Sequence, residues 1–118
     1  MYQKIKVSGV YIITHTSGYF YIGSSVNITN RWSAHIDSLI KNTHHSQKFQ
    51  SLFNQSDITQ WTFQIVTKVS KTALKQATGL KGKALDAALK KEVLKEERLI
   101  MSKHNKQYSL NTDIKYFK

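Results

Sequence analysis

Residues Ser8 to His35, SGVYIITHTSGYFYIGSSVNITNRWSAH, hold two strands, a turn, a loop and the start of a helix in one run. Gly9–His15 and Tyr19–Gly23 are rich in β-branched and aromatic residues, as strands are. Thr16-Ser17-Gly18 between them suits a three-residue hairpin loop with Gly18 in the left-handed position. That loop pairs Tyr11 with Gly23 and Ile13 with Tyr21. Side chains alternate along a strand and paired residues share a face. Tyr11 and Tyr21 therefore point to one side of the hairpin, and Val10, Ile12, Phe20 and Ile22 to the other. The apolar set suits a core and the tyrosine set suits a site.

Ser24 and Ser25 lead into a helix whose N-cap is Asn27 or Thr29. Trp32, Ile36, Leu39 and Ile40 recur at helical spacing and are its expected buried stripe. Arg31 and His35 stack one turn apart, on a face expected to lie away from that stripe. A helix packed on the hairpin would hold both beside the tyrosines.

These residues carry a resemblance. Gly9-Val10-Tyr11 and Tyr21-Ile22-Gly23, at this spacing, resemble the paired motif of the GIY-YIG nuclease domain, with Val in place of Ile. The following Ser-Ser and the Arg31-Trp32-x-x-His35 helix are similar to the phage and intron homing type. The resemblance runs to about Asn111. It implies an α+β fold: a small three-stranded antiparallel sheet flanked by helices.

Composition sets the frame. The 118 residues suit one domain, with a core over about 8–111 and a short tail over 112–118. There is no cysteine, hence no disulfide and no thiolate zinc site. No apolar run is long enough to span a membrane, and Met1 opens no secretory signal pattern, which fits a cytoplasmic protein. Eighteen Lys and Arg against seven Asp and Glu leave a net charge of +11. That balance favours an anionic partner, DNA first and an acidic membrane surface second, although basic charge also serves solubility alone.

The rest of the chain supplies further elements. Residues 1–7 form a lead-in in which Ile5 and Val7 extend strand one. Lys41–Ser46 is a polar loop carrying His44 and His45. Adjacent histidines in such a loop are usually solvated rather than metal-bound. The resemblance puts this loop near DNA, making Lys41, His44, His45 and Lys48 candidate phosphate contacts. Phe49, Leu52 and Phe53 mark a short helix over Ser46–Asn54. Trp61–Val69 alternates as a third strand, with Trp61, Phe63 and Ile65 on one face and Trp61 a core residue rather than a base-stacking one. Ala73, Leu74 and Ala77 mark a short helix, and Gly79 and Gly82 punctuate the chain. Lys83–Lys103 then reads as one long helix, and the Ala- and Lys-rich segment 73–91 as a brace or a DNA-facing surface.

On that long helix Leu85, Ala88, Leu89, Val93, Leu99 and Ile100 share a face, with Glu96 near its middle and Glu97 about 100° round toward its edge. A glutamate in an apolar stripe must be paired, protonated or bound to a cation. Glu96 reads either as half of a buried pair with Arg31 or as a metal ligand. The resemblance favours the ligand: the family's metal-binding Glu precedes apolar residues three and four positions on, here Leu99 and Ile100. Glu97 is the alternative, and Glu92 a supporting partner one turn earlier. The resemblance also puts an Asn at the site, here Asn111, and leaves Tyr108 in a terminal segment whose Tyr116 and Phe117 pack back.

Together these imply a phosphodiester hydrolase acting on DNA with Mg²⁺ or Mn²⁺. Glu96 would hold the cation, Arg31 clamp the phosphate, Tyr21 position water or phosphate, and Tyr11 or His35 take the proton from water. One such set makes one cut. Cutting both strands needs a homodimer, sequential nicks or reorientation. The chain carries no recognisable targeting module, so a stand-alone nuclease, a longer parent protein or a targeting partner all remain open. The rival is a basic nucleic-acid-binding module that keeps the fold without cutting.

Overall fold

The computed structural model describes residues 6–118. Two strands, β1 (Gly9–His15) and β2 (Phe20–Ser25), precede helices α1 (Ile28–Ile40) and α2 (Gln47–Asn54). Strand β3 (Trp61–Lys68), a short helix α3 (Lys71–Thr78) and a long helix α4 (Gly82–Met101) follow. The sheet is antiparallel in the order β2-β1-β3. The expected α+β architecture is what forms. Ile5 lies outside the described residues. Val7 precedes β1 instead of extending it, and its carbonyl accepts the Ile28 amide at 2.8 Å.

The hairpin has the register its loop demands, with Tyr11 opposite Gly23 and Ile13 opposite Tyr21. Both faces of the sheet are covered. On one, Tyr11, Ile13, Tyr21 and Trp61 pack with Ile28 and Leu39 of α1 and Phe49 of α2. On the other, Val10, Phe20 and Ile22 pack with Ile100 and Met101 of α4 and with Phe117. The face split read from the alternation thus separates two half-cores. Ile13, Ile22 and Ile28 are wholly buried, worth about 1.5–3 kcal/mol each. A bulge puts Val10 opposite Thr67 but Tyr11 opposite Ile65, leaving Val66 as the extra residue. Trp61 stacks on Phe49, a core role as expected.

The caps are local and explicit. The Asn27 side chain accepts the Asn30 amide, which settles the start of α1, and Ser46 accepts the Phe49 amide to start α2. The buried stripe of α1 is not the expected one. Ile28, His35 and Leu39 are buried, whereas Ile40 is 71% exposed. At about 100° per residue, Ile28, Trp32, His35 and Leu39 fall within about 60° of one another, and Ile40 falls well outside. His35 is therefore in the stripe rather than opposite it, and exposed Arg31 lies on its flank.

Candidate active site

The two glycines of the hairpin motif sit where a side chain has no room. A Cβ on Gly23 would come within 2.3 Å of the Tyr11 Oη, because the phenol lies directly over its cross-strand partner. A Cβ on Gly9 would meet the Thr67 carbonyl oxygen at 1.9 Å, beside the bulge. Close backbone approach is what these glycines permit.

Tyr11 is 1% exposed, and its hydroxyl lies 2.7 Å from His35 Nε2. Trp32 meets its ring edge-on at 6.2 Å. Burial, first, and then Tyr21 push the Tyr11 phenol above its usual range, while Arg31 pulls it down. Burial also raises Tyr21, again against Arg31. One guanidinium on the rim of α1 thus serves both phenols, as the helix–hairpin packing was expected to allow.

Behind Tyr11 lies a buried polar chain. His35 Nδ1 is 2.8 Å from His44 Nε2, and the Ser46 amide donates to His44 Nδ1 at 3.0 Å. Burial, Arg31 and the neighbouring histidines hold His35 down to about 3. Burial and then His45 hold His44 down to about 4. Both rings are neutral at pH 7. His44 is therefore not the surface phosphate contact expected of it: it is buried, stacked on His35, and part of the site's inner wall. His45 is exposed at the mouth, 3.4 Å from the Tyr21 hydroxyl. Lys41 is exposed but paired with Asp37 at 3.1 Å, and Lys48 is exposed on α2.

The carboxylate that reaches the cleft is Glu97, not Glu96. Glu97 lines a cleft with Tyr21, Asn111 and Asp113. Burial raises its carboxyl, opposed by the Ser24 hydroxyl, Arg98 and Arg31. Glu96 and Glu92 instead line a groove against Ala73 and Ala77 of α3, so neither stands at the site. The reason is that α4 has two partners. One side of it faces α3, while its buried residues shift round the helix from Leu85 and Leu89 to Val93, Ile100 and Met101, the last two packed on the sheet and Leu99 50% exposed. The burial axis rotates, carrying Glu97 inward. The buried pair three and four residues beyond an acid is Ile100-Met101, which points back to Glu97. The expected Glu96–Arg31 contact does not form.

Asn111 reaches the same cleft, but its amide is already spoken for. Its Oδ1 accepts the Ile22 amide at 3.0 Å and its Nδ2 donates to the Ile22 carbonyl at 2.7 Å. It clamps the C-terminal segment to the free edge of β2, next to Tyr21 and Gly23, and so positions the site rather than facing into it. Tyr108 packs edge-on against Tyr19, outside the cleft, while Tyr116 lies under Arg98 and Phe117 joins the core. Ser24, Ser46 and Gln50 have no site role in the sequence reading; all three hold site residues.

Among the described residues no three His, Cys, Asp or Glu side chains gather as a metal cage. A single partly buried carboxylate still suits Mg²⁺, which keeps most of its waters and takes few protein ligands. No helix among the described residues is long and apolar enough to cross a membrane.

The sequence profile of the GIY-YIG catalytic domain matches residues 7–77. The structure is similar to the catalytic domain of the homing endonuclease I-TevI, with a TM-score of 0.65 at 22% identity over 90% of this chain and 98% of that one. A mutant of the same intron endonuclease domain superposes with a TM-score of 0.67 at 22% identity, covering 95% of this chain and 99% of that one. No curated protein matches the sequence. With the two motif tripeptides paired in one hairpin beside Arg31 and His35, and the profile matching more than half of the chain, the protein belongs to the GIY-YIG nuclease family.

Proposed function

We propose that the chain is a divalent-metal-dependent endonuclease of the homing type that hydrolyses phosphodiester bonds in DNA, as a phage or mobile element would use in its host's cytoplasm. The observation that carries this reading is the convergence of two phenols, a guanidinium and a partly buried carboxylate from elements far apart in sequence. Each alone has an ordinary structural explanation; their lying within electrostatic reach of one another on a chain of net charge +11 does not.

Glu97 is the residue that would hold Mg²⁺ or Mn²⁺. When bound, such an ion neutralises the scissile phosphate and stabilises the departing 3′ oxygen. Arg31 offers its planar fork to the phosphate oxygens and strengthens as their charge grows. Tyr11 would take the proton of the attacking water as its phenolate, its own proton having first passed to solvent with Arg31 favouring the charged form against burial. His35 is the weaker candidate, because a ring held down to about 3 is a poor base at neutral pH. Tyr21 positions water or phosphate, and His45 and Lys48 contact the flanking backbone. One cleft makes one cut, so double-strand cleavage calls for a homodimer or two nicks. A targeting partner would supply sequence choice.

Supercoiled plasmid incubated with Mg²⁺ and with EDTA tests the reading. Metal-dependent conversion to the nicked form is expected. DNA binding without nicking, across divalent ions and branched or linear substrates, would leave only a binding module.

A further inference from the structure

The proton positions along the chain behind Tyr11 follow from one backbone amide. An amide N–H only donates, so His44 Nδ1, which receives the Ser46 amide, is bare. The neutral ring then carries its hydrogen on Nε2 and donates it to His35 Nδ1, 2.8 Å away. His35 Nδ1 is bare in turn, and its hydrogen lies on Nε2, directed at the Tyr11 oxygen at 2.7 Å. Every link points the same way.

What holds His44 in this pose is Gln50. Its Oε1 accepts the His44 amide at 3.1 Å, and its Nε2 donates to the Leu39 carbonyl and to Asn54 Oδ1, both at 2.9 Å. Gln50 is 8% exposed and ties the end of α1, the histidine loop and α2 together. All its bonds go to the loop's frame and none to the cleft.

We propose that Gln50 and His44 are positioning residues that lock His35 as the Nε2–H tautomer, so that Tyr11 accepts from His35 and turns its own hydrogen toward the substrate. The lock makes His35 a donor to Tyr11 and removes it as an acceptor there. A phenolate formed at Tyr11 keeps that bond, since the donor is already in place. The catalytic consequence rests on the nuclease reading above; the tautomer assignment does not.

Long-range ¹H–¹⁵N correlation spectra of the ring nitrogens, on the whole DNA-free protein at pH 7, test this directly. Wild type is expected to show both His35 and His44 with bare Nδ1 and protonated Nε2. His44→Phe keeps a ring against His35 and Phe49 but removes the donor. Gln50→Met keeps the length but frees the loop. In either, the His35 nitrogens should shift toward a mixture of tautomers. The kcat for nicking should fall about tenfold with KM within about twofold, the range for losing a partner that orients a site residue. A merely structural role would lower Tm and leave the His35 signals in place. The proposal is overturned if wild-type His35 carries its hydrogen on Nδ1, a result independent of whether any variant folds. It is also overturned if the variants' His35 signals match wild type. A wild type with the expected tautomers that cuts no DNA would refute the nuclease reading and leave the lock standing.

Discussion

Replacing Gly23 by alanine puts a methyl group where Tyr11 already is. The new Cβ would lie 2.3 Å from the phenol oxygen and 2.4 Å from Cζ, with the backbone otherwise unstrained. Ordinary carbon contacts begin near 3.5 Å, so the ring must retreat by about 1 Å. It has nowhere to go cheaply: Tyr11 is 1% exposed, with Trp32 at its edge and His35 on its hydroxyl. Overpacking of this kind costs about 1–3 kcal/mol. Removing a glycine from the unfolded chain returns about 0.4–1 kcal/mol, which leaves a net loss of about 1–2 kcal/mol. Thermal melting should show a Tm lower by roughly 5 °C. Activity should suffer more than stability, because a displacement of about 1 Å at a reacting group costs about a hundredfold in rate. Steady-state nicking at a temperature where both proteins are folded separates the two effects. A Gly23→Ala protein with wild-type Tm and wild-type kcat would refute the reasoning, since the ring would then have room that the packing denies it.

Acid should destabilise the fold through the buried histidines. Both are held well below 6.5, so the unfolded chain binds more protons and stability falls as pH drops below 6.5. By pH 5 the loss is about 2 kcal/mol for each ring kept neutral. Glu97, raised chiefly by burial, offsets part of it at lower pH. Urea melts from pH 7 to pH 5 check the slope, and a flat profile would contradict it. Asn111→Ala leaves the Ile22 amide and carbonyl without their partners, and Ile22 is wholly buried. A loss of about 2–3 kcal/mol is expected, read as a lower urea midpoint with an unchanged m-value. Arg31→Lys keeps the charge but not the fork that serves both tyrosines. It should lower kcat by about a hundredfold with little change in DNA affinity.

The hairpin was legible because its signal is local. A period of two and a three-residue loop settle register and faces without help from the rest of the chain. The stripe of α1 was misread because hydrophobicity alone cannot see a buried histidine. His35 occupies a core position whose polar atoms are satisfied by Tyr11 and His44. His44 looked like a solvated loop residue; its burial depends on the Ser46 cap and on Gln50, a contact between elements that no spacing rule contains. Glu97 was within reach of a closer reading. A single helical wheel averages over all of α4 and favours Glu96, but the buried side of the helix rotates along its length. Its last turns therefore need a wheel of their own, centred on Val93, Ile100 and Met101.

The most direct measurement is plasmid nicking in Mg²⁺ by Glu97→Ala and Glu96→Ala proteins side by side, each shown to be folded. Cleavage should disappear with Glu97→Ala and persist near the wild-type rate with Glu96→Ala. Loss of cleavage in Glu96→Ala with retention in Glu97→Ala would mean that the carboxylate beside Tyr21 and Arg31 is not the one that works there.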